Sequence, residues 1–174
     1  MIRVVRGELR DQRVDGLMRP VRSDLAPVSG PSRDVLLDAG EELQERLGRM
    51  GLLPVGGAVL TPAGALPAPF LIHAVVMSEE EPQTSMSVQR ALRNGLRRAS
   101  DWGLGSVALP PFGMAVGTGD PEVAARVLVE ILFNHLDEGV APLDLTIVVS
   151  SDFESQLFSR LIEESSRARS ASSN

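Results

Sequence analysis

A chain of 174 residues, 43% hydrophobic and 23% charged, has the size and composition of one soluble globular domain. No apolar run nears the ~20 residues of a membrane-spanning helix, Arg3 and Arg6 interrupt any leader-like apolar stretch, and the lack of cysteine removes disulfides and thiolate chemistry. All 17 basic residues are arginine and tyrosine is absent, which excludes lysine and tyrosine chemistry, and a net charge of −6 argues against direct nucleic-acid binding, which leans on a basic footprint.

The acidity is uneven. Residues 1–33 hold seven arginines against four acids, and the remainder ten against nineteen. An arginine-rich start in an acidic protein suits a local anion site as well as a solvated surface.

Strand and helix patterns alternate along the chain. Residues 2–6 and 14–18 read as short strands. A single helix is expected over 32–49, with Val35, Leu36, Ala39, Leu43 and Leu47 on one face. Strands follow at 57–61 and 70–77, the second almost wholly apolar and therefore central. The spacing of Val88, Leu92, Gly95, Leu96 and Ala99 predicts a helix over 86–102. A strand at 106–110 runs into "ALPPFGMAVGTGDPE", where glycines separate an apolar strand from a helix start. Backbone N–H groups and a helix dipole converge at such a place and favour an anion. Asp120 suits the N-cap of a helix over 121–136, with Pro121 in its first turn. A strand at 145–150 leads to a last helix, in which Ser151 and Glu154 have capping-box spacing. The end, "SSRARSASSN", is polar and expected to fray. The fold class is α/β, a mixed sheet between helices in a single domain of residues 1–164, followed by a polar tail over 165–174.

Several isolated residues have structural explanations. His73, in an apolar central strand, suits a satisfied core histidine. His135, near a helix end, complements the helix dipole. Glu79, Glu80 and Glu81 precede Pro82 in a solvated turn. Two histidines far apart and no cysteine predict no transition-metal site, and nothing calls for a cofactor.

The order of the motifs resembles that of a macrodomain, the α/β module that binds ADP-ribose and its derivatives. Gly7-Glu8-Leu9 stands where that family has Gly-Asp-Ile. Val14–Met18 resembles its "VDAIV" strand, and "GGAVLTPAGALPAPFLIHAVV" its "G-x-A-x-x-T-x-G-x-x-L-P … IH-x-V" segment. "SVALPPFGMAVGTGDPEVAARVL" is similar to its second phosphate loop and helix, and "TIVVSSDFESQLF" to its last strand and helix. The binding motifs depart from the pattern. Arg19-Pro20-Val21-Arg22 replaces "NAAN", putting Arg22 where an asparagine contacts the distal ribose. Val28-Ser29-Gly30-Pro31 replaces the glycine-rich first phosphate loop, and Pro31 has no N–H to donate. Gly113-Met114-Ala115 aligns with "GTG", and Gly117-Thr118-Gly119 follows four residues later. Ser150 stands where an aromatic residue often covers the adenine, with Phe153 as a substitute.

The resemblance implies a ligand site at Glu8, Leu9, Arg22, Ser29, Gly30, Gly113, Met114, Ala115, Val116 and Gly117, with Glu8 as the adenine acceptor and Arg22 a phosphate ligand, helped by Arg19 or Arg33. Three functions are consistent with these residues. One is binding of ADP-ribose or a related nucleotide or phosphate ligand, free or on a modified protein. Another is a closed pocket that acts through protein contacts or self-association. The last is ADP-ribosyl or O-acetyl-ADP-ribose hydrolysis, against which the loss of the asparagine at Arg22 counts. A cytoplasmic location is expected.

Overall fold

The computed structural model describes residues 1–114 and 119–172. Six strands pair in the order β1-β6-β5-β2-β4-β3, with β1 spanning Ile2–Arg6, β2 Gly16–Arg22, β3 Ala58–Pro62, β4 Phe70–Met77, β5 Ser106–Leu109 and β6 Asp144–Val149. Every neighbouring pair is parallel except β3, which runs antiparallel along the edge of β4. The sheet is therefore mixed and flanked by helices, as the alternating pattern predicts.

Strand pleating sends alternate residues to opposite faces, and each face meets its own set of helices. Met18, Ile72, Ala74, Val107, Leu109, Leu145 and Ile147 share a core with Val88 and Leu92 of α3 (Ser85–Asp101), Leu128 and Leu132 of α4 (Pro121–Asp137), and Phe158 and Leu161 of α5 (Asp152–Ser172). The residues between them, Leu17, Val21, Leu71, Val75, Ala108 and Val148, pack on Val35 and Ala39 of α1 (Gly30–Ala39) and Leu43 and Leu47 of α2 (Glu41–Gly48). The central strands are apolar on both sides because both faces are covered. Close packing shows at Gly95 of α3, where a Cβ would stand 2.7 Å from the Met18 sulfur.

Some boundaries differ from the sequence reading. The helix expected over 32–49 is two helices, α1 and α2, broken at Gly40, whose φ of 100° and ψ of 170° belong to a region essentially reserved for glycine. Strand β2 runs on past Met18 to Arg22. The C-terminal segment, expected to fray from residue 165, stays helical to Ser172, because Arg169 pairs with Glu130 and Asp137 of α4 and the Ser165 hydroxyl donates to Glu130.

Candidate functional site

A crevice opens at the C-terminal ends of the parallel strands, where open α/β sheets bind ligands. Gly7, Glu8 and Leu9 follow β1; Pro110, Pro111, Gly113 and Met114 follow β5; Val148, Val149 and Ser150 close β6; Pro20 of β2 forms the floor beside Val28, Ser29 and Pro31. Gln83 and Glu154 complete the wall, and the cavity measures about 210 Å³. That is below the ~300–1,000 Å³ that small-molecule sites usually enclose.

The helix N-termini around this crevice are largely capped from within. At α1 the Ser29 hydroxyl accepts the Ser32 N–H at 3.3 Å, and Pro31 carries no N–H. At α4 the Asp120 carboxylate accepts the Glu122 N–H at 2.9 Å, and Pro121 is the first helical residue. At α5 a capping box forms: Glu154 N–H donates to the Ser151 hydroxyl at 3.2 Å, while Glu154 Oε2 accepts from the Ser150 and Ser151 N–H groups at 2.9 and 3.3 Å. Glu154 Oε2 also accepts from both serine hydroxyls. Some of the donors that a bare helix terminus would offer an anion are thus already used by the chain's own side chains. Among the described residues, the ionisable groups of the lining are the carboxylates of Glu8 and Glu154, with no arginine.

The wall formed by residues 25–32 is held by Arg19, which is fully buried. Its register partner in β4 is His73, and Arg19 Nε donates to His73 Nδ1 at 2.9 Å. A guanidinium only donates, so Nδ1 carries no proton and the neutral ring donates from Nε2 to Thr61 Oγ1, 2.8 Å away. The remaining guanidinium nitrogens donate to the Leu25 carbonyl at 2.9 Å and to the Ser32 hydroxyl and carbonyl at 3.3 and 3.4 Å. The Ser32 hydroxyl in turn donates to the Pro20 carbonyl at 2.8 Å. Both ends of the 25–32 segment are therefore tied to β2, including Leu25, which has a positive φ of 68°. No carboxylate takes part. Burial lowers the Arg19 pKa to about 10, and burial together with the nearby guanidinium holds the His73 pKa well below 6.5. At neutral pH Arg19 is charged and His73 is neutral.

Of the residues proposed from the sequence, Glu8, Leu9, Ser29, Gly113 and Met114 line the crevice, and Gly30 sits between Ser29 and Pro31 at the exposed first turn of α1. Ala115, Val116 and Gly117 lie outside the described residues. Arg22, expected at the crevice mouth from the motif alignment, is not among the lining residues of this crevice. The β2–β4 register slips between Val21 and Arg22, which ends simple alternation. A tight turn closes there, with Arg22 N–H donating to the Ala26 carbonyl and Leu25 N–H to the Arg22 carbonyl. Arg22 lines a second cavity together with Glu79, Glu80 and Glu81. Arg19, named as a helper, points into the protein, and Arg33 is exposed beside Asp34. Phe153 is 63% exposed and absent from the lining. His73 is the satisfied core residue expected of it. His135 is buried and hydrogen-bonded through Nε2 to the Pro142 carbonyl at 3.0 Å, joining α4 to the segment that follows. Sequence reasoning missed Gln83, Pro110, Pro111, Val148 and Val149 as lining residues. The last four stand at strand ends, where the strand-end rule alone would have found them.

The fold is thus a three-layer α/β sheet whose crevice lies at the strand ends beside the start of the first helix, the place where open α/β sheets bind ligands. A family model described as Macro domain matches residues 30–128, and the chain belongs to that family. A protein of Aquifex aeolicus is 35% identical over 130 residues, covering 74% of this chain and 79% of its own. A protein of Enterobacter cloacae named O-acetyl-ADP-ribose deacetylase is 28% identical over 169 residues, covering 94% of each chain. Among solved structures, the Oceanobacillus iheyensis macrodomain with ADP superposes with a TM-score of 0.81 at 20% identity, covering 95% of this chain and 91% of that one.

Proposed function

We propose that the crevice binds ADP-ribose or a related nucleotide or phosphate ligand, free or attached to a protein, without hydrolysing it efficiently. The observation that carries this reading is the convergence of residues 7–9, 28–31, 110–114 and 148–150 on one opening at the strand ends in a member of the Macro domain family. A structural neighbour holding ADP and a relative named for O-acetyl-ADP-ribose support the ligand class. Glu8 supplies an acceptor for an exocyclic amine, and Leu9 and Val149 provide apolar contact for a base.

Hydrolysis needs a base that positions a water within hydrogen-bond reach of the reacting atom. Glu154 Oε2 takes four hydrogen bonds from Ser150 and Ser151, which fix that carboxylate at the start of α5. The described lining residues include no histidine or asparagine, and their carboxylates are those of Glu8 and the capping Glu154. Calorimetric titration with ADP-ribose and ADP tests the binding reading. Saturable binding is expected, weakened about tenfold in Glu8→Ala, the loss of one hydrogen bond to a charged group. No turnover of O-acetyl-ADP-ribose is expected. A crevice with two carboxylates and no arginine also favours a second reading, a module that acts through protein contacts with the crevice empty. Absence of heat with every nucleotide would select it.

A further inference from the structure

An anion that enters the crevice meets two carboxylates, those of Glu8 and Glu154, and no arginine in the described lining. The structure places a positive charge behind the wall instead. Arg19 is fully buried and immediately precedes Pro20, which lines the crevice. Arg19 Nη1 donates to the Ser32 hydroxyl at 3.3 Å, and that hydroxyl donates onward to the Pro20 carbonyl at 2.8 Å. The Ser32 N–H donates to the hydroxyl of Ser29, a second lining residue, at 3.3 Å. Ser32 thus links the guanidinium to two residues of the crevice wall.

Buried charges in proteins are ordinarily paired. This one is not. Its acceptors are the neutral His73 ring, the Leu25 and Ser32 carbonyls and the Ser32 hydroxyl. Among the described residues no carboxylate pairs with it, and none offsets the lowering of its pKa by burial. Holding the 25–32 segment requires donors aimed at neutral acceptors, and a permanent charge is surplus to that task and costs desolvation. Neutral acceptors solvate the guanidinium without cancelling its charge. Its field passes through protein rather than water, so it reaches the crevice with little screening.

We propose that Arg19 is the counter-charge of the anionic part of the ligand, acting through the wall without touching it, and that it makes the crevice select a phosphate-bearing ligand over a neutral nucleoside. The inference rests on the reading of the crevice as a nucleotide or phosphate site. Binding completes a pair whose cationic half is already desolvated and fixed by four hydrogen bonds, so that half contributes no further ordering or desolvation penalty.

The test is NMR-monitored titration of wild type, Arg19→Gln and Arg19→Lys with ADP, pyrophosphate and adenosine at about 0.15 M salt, where exposed charges are largely screened. Glutamine keeps amide donors without the charge, and lysine keeps the charge with fewer donors. Arg19→Gln is expected to weaken ADP about tenfold and adenosine by less than about twofold. Arg19→Lys, although less stable, is expected to keep the wild-type preference for ADP over adenosine. A purely structural role weakens both ligands alike and makes lysine no better than glutamine, and either result would overturn the proposal. The wild-type spectra carry a second readout that stands even if a variant fails to fold. The Arg19 Nε–H, bonded to His73 Nδ1, is expected to shift with ADP and pyrophosphate and to stay in place with adenosine. An Nε–H signal unmoved at saturating ADP would overturn the proposal and leave the crevice a ligand site, whereas failure of wild type to bind any of the three would overturn both.

Discussion

Arg19 is the largest side chain withdrawn from solvent, and nothing about its charge is neutralised by a carboxylate. Its donors go to His73, Leu25 and Ser32, so removing it strands several buried acceptors, each costing about 1–3 kcal/mol. Arg19→Ala is expected to lower unfolding stability by roughly 3 kcal/mol in urea titrations. Arg19→Lys should restore little, because an ammonium cannot span three directions as a guanidinium does. His73 gives a pH signature. Its folded pKa lies well below the ordinary 6.5, so the unfolded state binds a proton first as pH falls. Its contribution to stability is complete above about pH 6.5 and declines below it, by up to ~1.4 kcal/mol per pH unit. Chemical denaturation of wild type and His73→Gln across pH 5 to 7 should show this slope in wild type and lose it in the variant. At this scale the sequence was legible for His73, whose apolar strand already marked it as structural. Arg22 is less simple. The motif spacing placed Arg22 at the crevice, while the register slip after Val21 and the turn closed by Ala26 are tertiary features that spacing does not encode. Arg22→Ala should therefore leave ADP-ribose affinity within about twofold by calorimetry, whereas a loss beyond tenfold would return Arg22 to the ligand site.

At the scale of elements, hydrophobic periodicity located every strand and every long helix, because both faces of the sheet are covered and the pattern is strong. The helix break was missed because apolar spacing continues through it. Val35, Ala39, Leu43 and Leu47 all belong to one core, and only the backbone at Gly40 records the change in direction. Gly40→Ala should lower the melting temperature measured by circular dichroism, by an amount corresponding to about 1–3 kcal/mol, since a Cβ is strained at that φ and ψ. The caps at Asp120, and at Ser151 with Glu154, were legible in sequence because each is a local pattern of side chain and N–H. Their consequence for ligand binding was not. A glycine-bearing loop before a helix promised free donors, whereas Ser29, Asp120 and Glu154 each take up part of that supply from within the chain.

At the scale of the whole molecule, one depression lies at the strand ends and another beyond the end of β2. Their linings differ in kind: the first is formed by strand ends and the α1 start, the second by an acidic turn facing an apolar wall. The order of motifs made the first legible from the sequence. The second draws on residues 22–24, 52–55 and 78–81, far apart in the chain and unmarked by any motif. The most direct measurement of the central claim is the mapping of backbone amide chemical shifts by NMR during titration with ADP-ribose. The account predicts saturable changes concentrated at residues 7–9, 28–32, 112–114 and 148–154, with the amides of 22–24, 52–55 and 78–81 unmoved. Changes centred on the second group, or none at any concentration, would contradict it.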